Sequence, residues 1–181
     1  LNLEDFIIGG HSFGGESVMH YLTNYPVNAK GLILVATGGY RPKDALETEK
    51  EIIEKAQTTI GDFILKYSGT RSEVAEGIKG YFHDQSKLDE AMIDRYYRLG
   101  LYEKNRGTFG YIMINMFNNY RENKNFDKIT IPTLILWGDK DKALHVSMAK
   151  RFNNDIPNSK LIIYPNIGHM IQFENTDQSV K

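Results

Sequence analysis

Four short apolar runs punctuate the chain: Phe6–Gly9, Gly31–Ala36 (GLILVA), Pro132–Trp137 (PTLILW) and Lys160–Tyr164 (KLIIY). None alternates cleanly between apolar and polar positions. Continuous runs of this length suit strands buried on both faces of a parallel sheet. Helical stretches separate the first run from the second (Gly14–Tyr25) and the third from the fourth (His145–Asn154). This alternation predicts right-handed crossovers and an α/β fold, a parallel sheet of about four strands with flanking helices. The turn signals agree, since Tyr25-Pro26 closes the first helix and Ile156-Pro157-Asn158 parts the later helix from its strand.

Between the second and third runs lie about ninety residues, against a usual connection of about 2–6. They do not read as a loop. Lys43–Ile60, Ser72–His83, Asp89–Glu103 and Phe109–Glu122 have helix-like composition, with Asp62–Tyr67 a weaker candidate. The predicted organisation is a core in two parts, 1–39 and 130–181, interrupted by a helical insertion over 40–129. Aromatic and Met side chains such as Tyr96, Tyr97, Tyr111, Met113 and Phe117 are expected mainly to pack that insertion. Those facing inward suit an apolar lid.

The first run ends in Gly10-His11-Ser12-Phe13-Gly14-Gly15. This is G-x-S-x-G with a strand before it and a helix after it, the context that gives the motif its meaning. A nucleophile on so sharp a turn sits at positive φ, at a cost of order 1–3 kcal/mol. Side chains two positions before and two after are expected to collide with the turn, which accounts for Gly10 and Gly14. Gly15 extends the close approach of helix to sheet. The new helix also aims free N–H groups at the serine oxygen.

Two further loops change the weight of that motif. Trp137-Gly138-Asp139-Lys140-Asp141 follows the third run and Pro165-Asn166-Ile167-Gly168-His169 follows the fourth. Functional groups of an open α/β sheet gather at the carboxyl ends of its strands. A serine hydroxyl needs a base, and the base needs an orienting carboxylate. All three residue types are present, in the order Ser, Asp, His, with Asp139 and Asp141 both eligible as the acid. His11 is too divergent from Ser12 on a tight turn to serve as a second base. His20 and His145 are expected on helices, at the surface or in packing, and His83 lies in the insertion.

Composition narrows the classes. Net charge is −1, from 22 basic and 23 acidic residues, so there is no electrostatic footprint for nucleic acid or an anionic membrane. No apolar run approaches the ~20 residues of a membrane span. The absence of Cys excludes disulfides, Cys-ligated zinc and a thiol nucleophile, and fits a reducing, cytoplasmic compartment. No His, Asp and Glu cluster has metal-ligand spacing, so neither a metal nor another cofactor is expected.

With GHSFGG, PTLILWGDKD and NIGHMIQFE in this order, the chain resembles the α/β-hydrolase family along its whole length, with a helical insertion where that family carries its cap. The resemblance implies Ser12 as nucleophile, His169 as general base and acid, and Asp141, last residue of G-x-x-D, as the orienting acid. It also implies the backbone N–H of Phe13 as one oxyanion donor. The implied activity is hydrolysis of small to medium apolar carboxylic esters, a small-molecule substrate. C–C bond hydrolysis, lactone hydrolysis and acyl transfer use the same residues, and a non-catalytic ligand-binding protein is the reading from another class.

The family carries strands before its nucleophile strand, whereas this chain opens on Leu1-Asn2-Leu3 and closes on Asp177-Gln178-Ser179-Val180-Lys181. Both ends read as cuts through a larger protein, or as the result of processing. The second oxyanion donor is then expected outside the chain. The first strand is expected to form an exposed apolar edge open to self-association. The parent is expected to be an enzyme, with the activity of the isolated chain left open.

Overall fold

Parallel pairing places the four strands in the order β1 (Phe6–His11), β2 (Ala29–Val35), β3 (Thr133–Gly138), β4 (Ser159–Tyr164). The computed structural model describes residues 3–25, 28–40, 69–102, 105, 107–108, 111–112 and 125–179. Every neighbouring pair is parallel, with His11 opposite Val35, Val35 opposite Leu136 and Leu136 opposite Ile162. The strand ends are thus in register, and the loops that follow them leave from one rim. β1 lies at an edge of this sheet, with Ile7 67% exposed.

Helix α1 (Phe13–Asn24) follows β1 and packs on it, burying Gly15 and Met19. The core between sheet and helices is aromatic at its centre. Trp137 and Phe152 are fully buried, and the Phe152 ring lies 4.4 Å from Tyr40 and 5.3 Å from Phe126. Each such side chain contributes about 1.5–3 kcal/mol by leaving water.

The chain forms two compact units. One comprises Leu1–Tyr40, Gly80–Lys87 and Asn123–Lys181, the other Arg41–Lys79 and Leu88–Glu122. In the second, α2 (Arg71–Lys79) packs on α3 (Glu90–Leu101). Thr70 and Glu73 form a reciprocal capping box at the start of α2, with Thr70 N–H donating to Glu73 at 2.6 Å. Asp89 caps α3 by accepting from Met92 N–H at 2.7 Å. Arg71 joins the two helices through Glu90 and, at 2.6 Å, Asp94. The helices expected over Lys43–Ile60 and Asp62–Tyr67, and nearly all of that over Phe109–Glu122, lie outside the described residues.

Gly80–Lys87 falls inside the span expected as insertion, yet it packs with the first unit. Its backbone is bonded there, with His83 N–H and Asp84 N–H donating to Glu174 and the Tyr81 carbonyl accepting from His169 N–H. The helix expected from His145 begins instead at Ser147, as α4 (Ser147–Asp155). The His145 ring nitrogen accepts the Ser147 N–H at 3.3 Å and meets the Ser147 hydroxyl at 2.9 Å, so His145 stands just outside the helix. Two short helical turns, α5 (Ile171–Glu174) and α6 (Thr176–Ser179), end the first unit.

Candidate active site

β1 runs to His11 and α1 begins at Phe13, so Ser12 alone turns the chain. It does so at φ 54° and ψ −124°, a conformation that costs a residue with a Cβ about 1–3 kcal/mol. Hydrogen bonds on both sides fix it. Its N–H donates to the Val35 carbonyl at 3.0 Å, and its own carbonyl accepts from Gly15 N–H and Gly38 N–H, each at 3.1 Å. The buried Thr37 hydroxyl adds a donor at 3.3 Å. A serine preceding a helix ordinarily uses its hydroxyl as a cap. Ser12, half-buried, makes no capping hydrogen bond, so its hydroxyl is not committed to the helix. As first residue of α1, Phe13 has an N–H with no acceptor inside the helix.

The glycines divide differently from the expectation. A Cβ on Gly10 would lie 2.4 Å from the Gly14 carbonyl carbon, and one on Gly15 would lie 2.1 Å from Thr37 Oγ1. A Cβ on Gly14 would meet nothing within 4 Å. Gly14 is therefore not required by crowding among the described residues, because its Cβ direction leads outward from an exposed position. The crowded pair is Gly10 and Gly15.

Asp141 and His169 come from the loops after β3 and β4. Asp141 Oδ2 lies 2.8 Å from His169 Nδ1, with the residues 5% and 3% exposed. Asp141 Oδ1 accepts from Ala143 N–H and Leu144 N–H, both at 2.8 Å, and the Leu144 carbonyl accepts from the buried Trp137 indole at 2.9 Å. The acid is thereby tied to the core. A carboxylate only accepts, so Nδ1 carries the hydrogen and Nε2 is the basic nitrogen. Asp139 has a different partner, the Asn166 N–H at 2.6 Å. Asn166 takes φ 57°, which Asn tolerates better than most residues, so Asp139 pins the turn after β4.

His11 brings the Ser12 turn to the His169 loop. Its Nε2 lies 3.0 Å from the His169 carbonyl oxygen, and the two rings are 4.7 Å apart. Burial holds the His11 imidazole below its ordinary pKa, opposed by the hydrogen bond to that carbonyl. Among the described residues no hydrogen bond joins the Ser12 hydroxyl to His169, and no group of three or more His, Asp or Glu side chains could hold a metal ion.

Two residues near His169 escape a reading of the sequence. The Tyr81 carbonyl accepts the His169 N–H at 2.9 Å, with its ring 5.5 Å from the imidazole. Glu174 accepts from Gly168 N–H at 2.9 Å while only 7% exposed. The one available signal for Glu174 is an acid closing the apolar stretch Met170-Ile171-Gln172-Phe173-Glu174. Tyr81 belongs to no motif or repeat, so nothing local marks it.

Comparison with known proteins agrees with this architecture. The family described as alpha/beta hydrolase fold matches residues 1–176. The chain is 24% identical over 181 residues to the uncharacterized hydrolase YugF of Bacillus subtilis, covering 98% of this chain and 63% of that protein. It is 25% identical over 187 residues to the monoacylglycerol lipase ABHD6 of Homo sapiens, covering 100% of this chain and 54% of that protein. The chain thus spans less than two thirds of either relative. Among solved structures, the esterase EaEST of Exiguobacterium antarcticum superimposes with a TM-score of 0.77 at 19% identity, over 98% of this chain and 64% of that one.

Proposed function

The chain belongs to the alpha/beta hydrolase family, and from that premise we propose that its protein is a serine hydrolase of small to medium apolar carboxylic esters. One observation carries the proposal: a buried His169–Asp141 pair at 2.8 Å, held against a turn whose serine is strained and uncapped. In the proposed reaction Ser12 Oγ attacks the acyl carbon and passes its proton to His169 Nε2. The Phe13 N–H faces the oxyanion that develops. His169 then protonates the departing alkoxide, leaving an acyl-serine. Water attacks that ester, gives a proton to His169, and the acid leaves as the proton returns to Ser12. Asp141 holds the imidazole tautomer and stabilises the imidazolium throughout. The lipase name of one relative supports an ester substrate.

The test is Ser12→Ala in the full-length protein, assayed on p-nitrophenyl esters of increasing acyl length and with a fluorophosphonate probe. Turnover is expected to fall by roughly 10⁴-fold or more, and labelling to vanish, with the fold retained. Undiminished hydrolysis by the variant overturns the nucleophile assignment. Absence of both labelling and turnover in the unmodified protein favours a ligand-binding role instead.

A further inference from the structure

We propose that Glu174 is a positioning residue that sets the His169 imidazole by clasping two segments distant in sequence; this rests on His169 being the catalytic base. Glu174 Oε1 accepts from Gly168 N–H at 2.9 Å. Its Oε2 accepts from His83 N–H at 2.9 Å and Asp84 N–H at 2.8 Å. The carboxyl group is buried, and among the described residues no cation pairs with it. A buried carboxylate is tolerated only when its oxygens are satisfied, and here backbone donors from both segments satisfy them.

The geometry converges on the residue before His169. A Cβ on Gly168 would lie 2.6 Å from His83 N, 2.7 Å from Glu174 Oε1 and 2.8 Å from the Tyr81 carbonyl oxygen. Only glycine admits so close an approach. The next residue, His169, donates its N–H to that same Tyr81 carbonyl at 2.9 Å. Successive amides of the histidine loop are therefore fixed to Glu174 and to the 80–87 segment. That segment is itself stiffened, since Asp84 Oδ1 accepts from Ser86 N–H at 3.0 Å and from its hydroxyl at 2.6 Å. Asp141 fixes the imidazole at Nδ1, while the clasp fixes the backbone from which it hangs.

Glu174→Gln in the full-length protein tests the clasp. The amide keeps the shape but turns one acceptor into a donor facing N–H groups. We expect kcat to fall about 10- to 100-fold with KM within about twofold, as for a small misplacement of a catalytic group. The low-field proton resonance of His169 Nδ1–H should shift or broaden. Ile129→Val, a core change away from the loop, should lower thermal stability without moving that resonance. Asp84→Ala, at an exposed position, decides the matter if Glu174→Gln does not fold, and should reproduce the resonance change with a smaller loss of kcat. Unchanged kcat and resonance in the folded variants overturn the clasp, provided His169→Ala is inactive. An active His169→Ala overturns the base assignment itself, and the clasp's catalytic purpose with it.

Discussion

The turn that carries Ser12 and the loop that carries His169 both leave the same rim of the sheet, but the second is held from more segments than the first. Ser12 is positioned by its own turn and one neighbouring loop: β1 leads in, α1 leads out, Gly10 lets the two meet, and Val35, Thr37 and Gly38 hold the Ser12 backbone. His169 follows no such elbow. Its position comes from Asp139 through Asn166, from Tyr81, from Asp141 and from Glu174, residues far apart in the chain except the last. The strained turn is written in six adjacent residues and braced by the end of β2 and the loop after it, whereas the histidine loop draws on segments from across the first unit. Damage to the first should strike chemistry or local packing; damage to the second should spread.

The largest effect expected in the histidine region separates its two acids. Asp141→Asn should lower kcat by roughly 10⁴-fold, because the amide no longer enforces the required tautomer. Asp139→Asn loses only part of the anchor on Asn166 and should cost less than about tenfold in rate. Steady-state kinetics of the two variants makes the comparison, and the reverse ranking overturns the assignment of Asp141.

The Ser12 turn is sharpened by a pair of glycines next to each other. Gly15→Ala forces a methyl group against Thr37, which is fully buried, and should destabilise by about 1–3 kcal/mol. Gly14→Ala places its methyl group in open space and should gain up to about 0.5–1 kcal/mol from the helix preference of Ala. Urea unfolding midpoints distinguish them. Equal losses would mean that Gly14 is crowded after all.

The same contrast explains what can be read from the sequence. The four strands and the Ser12 elbow are legible because apolar runs and a strand–GHSFG–helix context are local signals. The start of α4 lies two residues later than composition suggests, because His145 caps the helix from outside rather than joining it. Gly80–Lys87 reads as insertion because chain order gives no hint that its backbone bonds to Glu174 and His169 in the first unit. Glu174 and Tyr81 stay hidden for the same reason: their partners are backbone groups, and a backbone amide leaves no mark in a sequence. Gly14 misleads in the other direction, since its motif position suggests crowding that the described residues do not impose.

The smallest expected effect concerns His11, the residue that joins the two regions. Its imidazole is half-buried beside His169 and Asp141, and that burial, the largest influence, holds its folded pKa below the ordinary 6.5. The unfolded chain therefore binds a proton at His11 before the folded one does. Stability from this group is fully present above pH 6.5 and is lost as the pH falls from there through the folded value. His11→Gln, which can still reach the His169 carbonyl, removes that titration. Thermal unfolding between pH 5 and 7.5 should show the unmodified protein losing more stability on acidification than the variant, with little difference between them at the upper end. Parallel curves would mean that His11 carries no burial cost, and that the link between the serine turn and the histidine loop is looser than its 3.0 Å hydrogen bond indicates.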